Sequence, residues 1–244
     1  MNADAPSGDS ATVGPLTAAT ERLITTASAF DDAALAQPSL CAGWTRAHVL
    51  SHVARNADSL TNLLTWARTG VQTPMHTGRE ARDAAIEAGA GRPLDQILDD
   101  LRTSAGRFSK AVMDMPEEGW ERQVRRGANG TGDPLPGRHV LWLRLRELEF
   151  HHVDLDAGYR PVDWPASFVR RALDEVLRTF DRRDDVPPVA LDVEGRATEH
   201  LGTGAQVTVS GTAEAVLGWL TGRTAGDDLR AEPAGRLPVI PAWF

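Results

Sequence analysis

Several things are scarce in this 244-residue chain, and each scarcity closes a class of function. There is one cysteine, Cys41, so no intramolecular disulfide and no cysteine-rich zinc motif can form. The histidine–cysteine metal motif of zinc-dependent anti-sigma factors is also absent. Positive charge is in deficit, with a formal net charge of -8, which argues against nucleic acid or an anionic membrane as the main partner. Lys110 is the only lysine, a bias that points to a GC-rich source and to no mechanism. No run approaches the ~18 apolar residues that span a bilayer. The first residues, MNADAPSGDSATVGPL, lack a basic stretch followed by an apolar one, so a cytoplasmic protein is expected.

What is present is ordinary globular composition, 41% hydrophobic and 25% charged, on a chain long enough for one large domain or two smaller ones. Residues 1–15 read as a disordered tail. A helical stripe follows through Leu16, Leu23, Ile24, Ala27 and Phe30, then a connecting loop around Pro38 and Gly43. Thr45 reads as the N-cap of a long helix reaching Thr69, with Gly70 as its stop. Shorter helical patterns cover 78–89 and the stretch opened by Pro93. The Gly/Pro-rich run 125–138 is expected to be a loop, and a further helix to end near Gly158. Composition then changes: a helix over 165–181, two strand-like runs (PPVALDVEG and AQVTVSG), a helix (TAEAVLGWLTGR) and a Pro-rich end. The fold class expected is mainly α plus α+β, with a metal-binding four-helix bundle over 16–158 and a small α+β domain over 159–244.

Two pairs of metal-type side chains stand at one-turn spacing, His48/His52 and Glu147/His151, each inside an apolar helical segment. Stepping about 100° per residue places His52 at the side of the buried face and His48 about 40° further toward solvent. Glu147, His151 and Asp154 share an arc of about 60°, while His152 points about 100° away from His151. Asp154 is a candidate either to orient the His151 imidazole or to act as a ligand itself. Asn56 reads as a core hydrogen-bonding residue; Cys41 reads as a buried, inert thiol, with a nucleophile or a lone metal ligand as the alternatives. Two imidazoles and a carboxylate suit Zn²⁺ with a position left open, and also non-haem Fe²⁺.

The stretches GWTRAHVLSHVARNADSLTNLLTWARTGVQTPM (43–75) and LWLRLRELEFHHVDL (141–155) resemble the two metal-binding helices of the mycothiol-dependent maleylpyruvate isomerases, within the DinB-like bundle proteins. The resemblance continues through EAR (80–82), VSGTAEAVLGWLTGR (209–223) and the Pro-x-Trp-aromatic end. It implies a DinB-like bundle followed by a sterol-carrier-like α+β domain. It implies Zn²⁺ held by His52, Glu147 and His151, functional arginines at Arg82 and Arg223, and mycothiol as thiol cosubstrate. His48 and Cys41 match no functional position of the family. The implied reaction turns the cis double bond of maleylpyruvate to trans by thiolate addition, rotation and elimination. Arg223 is then expected to reach an acidic ligand across a cleft between the domains. The implied partners are a small acidic or electrophilic substrate and a low-molecular-weight thiol. Two other functions fit the same residues: a mycothiol S-transferase on this scaffold, and a non-catalytic small-molecule-binding protein.

Overall fold

The computed structural model describes residues 10–243, and these fall into two compact units that divide between Ala157 and Gly158. Helix α1 spans Ser10–Ser28 and buries Leu16, Ala19, Leu23 and Ala27 on one stripe. Residues 10–15, expected in a disordered tail, therefore belong to this helix, while the residues before Ser10 lie outside the described part. The leading turns carry no buried stripe, and Val13 is 36% exposed, so periodicity gave no sign of them. The expected loop after α1 also holds a short helix, α2 (Asp32–Leu35), whose first turn is capped by the Asp31 carboxylate accepting from Ala34 N–H at 2.7 Å.

Helix α3 (Arg46–Thr69) begins after Thr45 and ends at Gly70, whose N–H still bonds the Trp66 carbonyl and whose φ of 76° turns the chain out of the helix. Helix α4 covers Arg79–Ala90, and α5 covers Leu94–Met113 behind Pro93. A short α6 (Glu117–Glu121) leads to strand β1 (Gln123–Arg125), which pairs antiparallel with β2 (Pro134–Pro136). The ends of the stretch expected to be a loop are therefore strands. Three-residue strands, one with proline at both ends, leave no alternating pattern to detect. Helix α7 (His139–Asp154) completes the unit, ending one turn short of Gly158.

Helix α3 packs against α4, α5 and α7, and α1 packs against α5 and α7, so the four longest helices of this unit form a ring. Its interior holds Leu50, Leu60, Leu63 and Leu64 from α3 with Leu141, Trp142 and Leu148 from α7. Each such leucine contributes about 1.5–3 kcal/mol by leaving water. Polar contacts fix the neighbours: Arg22 Nη2 donates to the buried Glu149 carboxylate at 2.6 Å, and His152 Nε2 meets Thr26 Oγ1 at 2.8 Å. Arg55 of α3 bonds Asp100 of α5, and Arg107 of α5 bonds Asp58 of α3 at 2.6 Å.

The second unit contains α8 (Ala166–Phe180), β3 (Val189–Val193), β4 (Glu199–Leu201), β5 (Thr208–Gly211), α9 (Ala213–Leu220) and β6 (Arg230–Glu232). Its sheet runs in the order β4-β3-β5-β6, with β3 parallel to β5 and the other pairs antiparallel. Helix α8 buries Phe168, Val169, Ala172, Leu173, Val176, Leu177 and Phe180 on one face and packs on α9. The α+β expectation holds, with the three-residue β4 and β6 added to it. Among the described residues, no helix is long and apolar enough to cross a membrane.

Candidate metal centre

The start of α3 is tied to the end of α7, and this tie brings the two sequence pairs together. Carbonyls at a helix C-terminus lack partners within the helix. Here Arg46 Nε donates to the Leu155 carbonyl at 2.7 Å, Arg46 Nη2 to that of Asp156 at 2.5 Å, and Leu40 N–H to that of Asp154 at 2.9 Å. The Arg46 guanidinium also lies over the Phe30 ring, 5.3 Å from its centroid. With the helix ends pinned, His52 in α3 faces Glu147 and His151 in α7.

His52 Nε2 lies 3.0 Å from Glu147 Oε2, and His151 Nε2 lies 3.4 Å from the same oxygen. The three candidate ligand atoms fall within 4.8 Å of one another. The two imidazoles meet edge to face, with centroids 4.6 Å apart. The donor chemistry fits a divalent cation: two nitrogens and one carboxylate oxygen already converge, each nitrogen in place to exchange a proton for a metal.

The neighbours have separable roles. His48 Nδ1 accepts from the Thr45 backbone N–H at 3.3 Å and faces Thr45 Oγ1 at 2.8 Å, while its Nε2 meets Glu87 at 3.1 Å. It closes the first turn of α3 and stays apart from the centre. Asp154 Oδ2 lies 2.9 Å from His151 Nδ1, the nitrogen turned away from Glu147, which suits it to orient the ring. Trp44 packs on His52, centroids 5.4 Å apart. Arg82 of α4 places Nη2 3.3 Å from His52 Nδ1 and Nη1 2.8 Å from Asp83. A guanidinium can only donate, so Nδ1 accepts here and Nε2 carries the proton toward Glu147.

Helix α4 is set close to α3 by a small contact. Ser51 Oγ donates to the Ile86 carbonyl at 2.8 Å, and a Cβ at Gly89 would overlap the Ser51 hydroxyl. That approach holds Arg82 over His52.

Burial sets the charge states, with hydrogen bonds opposing it. Burial pulls the His52 imidazole below its ordinary pKa, and the Glu147 hydrogen bond only partly offsets this. Burial alone would raise Glu147, but hydrogen bonds from His151 and His52 outweigh it and hold the carboxyl well below its usual range. Burial also opposes charge on His151, yet Asp154, Cys41 and Glu147 together carry its pKa well above the ordinary value. Without a metal, these shifts favour the neutral form of His52, the ionised form of Glu147 and the protonated form of His151.

One residue near the centre, Arg144, escaped the sequence reading, and another, Cys41, is half-buried rather than the buried thiol expected. Cys41 falls into a second group of metal-type ligands with His151 and Asp154, on the side of His151 away from Glu147. It comes from a loop with no periodicity, so nothing in the sequence joined it to α7. Arg144, one turn before Glu147, is 2% exposed and donates through Nη1 to the Val53 carbonyl at 2.8 Å and to Asn56 Oδ1 at 2.9 Å. Asn56 is thus the core hydrogen-bonding residue expected. Burial lowers the Arg144 pKa to about 10, with the Glu147 and Asp58 carboxylates opposing.

Arg223 lies just past α9 in the second unit. Its N–H donates to the Gly218 carbonyl at 2.8 Å, and Nη1 to that of Thr221 at 3.1 Å, beyond the turn made by Gly222 at φ 73°.

A helical unit with a histidine–carboxylate cluster that could hold a metal ion, followed by an α+β unit, defines a two-part scaffold. Residues 16–156 match the mycothiol maleylpyruvate isomerase N-terminal domain, and residues 163–242 match the C-terminal domain of the same isomerases. The chain belongs to this family of isomerases. A crystal structure of the mycothiol-dependent maleylpyruvate isomerase aligns with a TM-score of 0.89 at 28% identity, covering 97% of this chain and 98% of that one. That of an H52A mutant of the mycothiol-dependent maleylpyruvate isomerase aligns with a TM-score of 0.89 at 27% identity, over the same shares. No curated protein matches the sequence.

Proposed function

We propose that this chain converts maleylpyruvate to fumarylpyruvate with zinc and mycothiol. The observation that carries the reading is the convergence of His52 Nε2 and His151 Nε2 on one Glu147 oxygen, with the Arg82 guanidinium against His52. His52, Glu147 and His151 would hold the ion, three protein ligands leaving a position for a reactant. When bound, zinc supplies Lewis acidity, lowering the pKa of a thiol and polarising a ketone.

The chain's own groups do the rest. The Asp154 carboxylate, 2.9 Å from His151 Nδ1, would orient that ring by charge and leave Nε2 aimed inward. Trp44 covers one side of His52 and limits water there. With His52 as a ligand through Nε2, its Nδ1 would carry the ring proton and would not accept from Arg82, leaving that guanidinium for a substrate carboxylate, for which its planar fork is a bidentate partner. While Arg82 fixes that carboxylate, thiolate addition makes the cis carbon–carbon bond single and puts the electron pair on the ketone oxygen as an enolate. Rotation follows, and collapse of the enolate expels the thiolate and restores the double bond as trans. The thiol is regenerated, so no cysteine nucleophile of the chain is required.

The test is to incubate the zinc-loaded chain with maleylpyruvate and follow fumarylpyruvate, with and without mycothiol. Formation that depends on the thiol is expected. A stable thioether adduct without fumarylpyruvate would make the chain a thiol transferase instead.

A further inference from the structure

Helices α1 and α5 leave a cavity of about 230 Å³ between them, with a charged floor. Its walls are apolar, including Leu16 of α1 with Phe108 and Val112 of α5. The wall hydroxyls of Thr17 and Thr20 are spent on carbonyls of their own helix, at 3.1 and 2.9 Å. Arg144 reaches the cavity from α7, and none of His52, Arg82, Glu147 or His151 lines it. Both hydrogen bonds of Arg144 leave from Nη1, and among the described residues Nε and Nη2 have no hydrogen-bond partner. A buried cation with unmade hydrogen bonds is costly, and the Nε–Nη2 edge offers two parallel N–H groups that match a carboxylate. The other charged residue lining the cavity is Glu21, which is exposed and repels a second negative charge near the mouth.

We propose that this cavity binds a small monocarboxylate with an apolar body, its carboxylate on the Nε–Nη2 edge of Arg144 and its apolar part between α1 and α5. The volume lies below the ~300–1,000 Å³ of pockets for drug-sized ligands, which sets the ligand at the scale of a medium-chain or single-ring acid. Glu21 selects against dicarboxylates, so the ligand differs in class from the substrate proposed above.

Gly106 of α5 supplies the clean variant. It lines the cavity, and a Cβ built there meets nothing within 4 Å. Gly106→Leu therefore fills the space while improving helix propensity. Titration of the full chain with octanoate and with benzoate, followed calorimetrically, is expected to show saturable one-to-one binding of at least one of them. The matching alcohol, octan-1-ol or benzyl alcohol, is expected to bind at least about tenfold more weakly, because it cannot use the guanidinium edge. Gly106→Leu is expected to abolish binding with the melting temperature kept or raised, and Arg144→Gln to weaken it. His52→Ala is expected to bind normally, since the metal centre is a separate place. Absence of binding by both acids, equal binding of acid and alcohol, binding untouched by Gly106→Leu, or loss in His52→Ala would each overturn the proposal.

Discussion

At the scale of single residues, the centre divides into groups that would touch a metal and groups that hold those in place. Asp154 belongs to the second kind: its carboxylate lies 2.9 Å from His151 Nδ1. Asp154→Ala is expected to weaken zinc binding about 10–100-fold without abolishing it, as measured by competition with a chelating dye. Arg82 acts on the reactant in our reading, so Arg82→Ala is expected to keep full zinc content and lower kcat/KM about 10²–10³-fold. A comparable loss from Arg82→Lys would point to the bidentate fork rather than charge alone. Helical geometry alone decides which face of α3 a residue occupies, so the more exposed place of His48 beside the buried His52 was legible. It could not reveal what His48 does, since its partner Glu87 lies on another helix. Cys41 was illegible for a related reason, a loop residue brought to His151 only by tertiary contacts.

At the scale of elements, the long helices were legible because each buries a stripe at period 3.6 and carries recognisable ends, such as Thr45 and Gly70 on α3. The elements missed, α2, α6, β1, β2, β4 and β6, have three to five residues and owe their form to neighbours rather than to local pattern. One close packing contact between elements has a functional consequence. Gly89 lets α4 approach Ser51 on α3, and α4 carries Arg82. Gly89→Ala is expected to push α4 outward, at a cost of about 1–3 kcal/mol in stability by denaturant melt. Turnover should fall with it while zinc content persists, because His52, Glu147 and His151 lie on α3 and α7.

At the scale of the whole molecule, a metal bound at this centre would couple to pH. Its metal-free form holds an imidazolium at His151, whose raised pKa means that a bound proton must leave when a cation arrives. Zinc affinity is therefore expected to rise with pH until His151 is neutral, and binding should release protons, both readable by calorimetry in buffers of different ionisation enthalpy. The His151 proton stabilises the metal-free chain fully below the ordinary histidine pKa, and this is lost as pH rises through the raised value. His52 acts in the opposite sense, its lowered pKa favouring the fold at neutral pH and losing that contribution on acidification. The division into a helical part and an α+β part was visible from the change of composition after Tyr159, whereas the cavity at Arg144 needs three helices in place before it exists.

The central claim is that one zinc ion is held by His52, Glu147 and His151. Zinc per chain, measured by elemental analysis after dialysis, tests it on the wild type beside His52→Ala, Glu147→Ala and His151→Ala, each checked for retained helicity. The account predicts about one zinc in the wild type and close to none in each variant. Equal zinc content in all four proteins would contradict it.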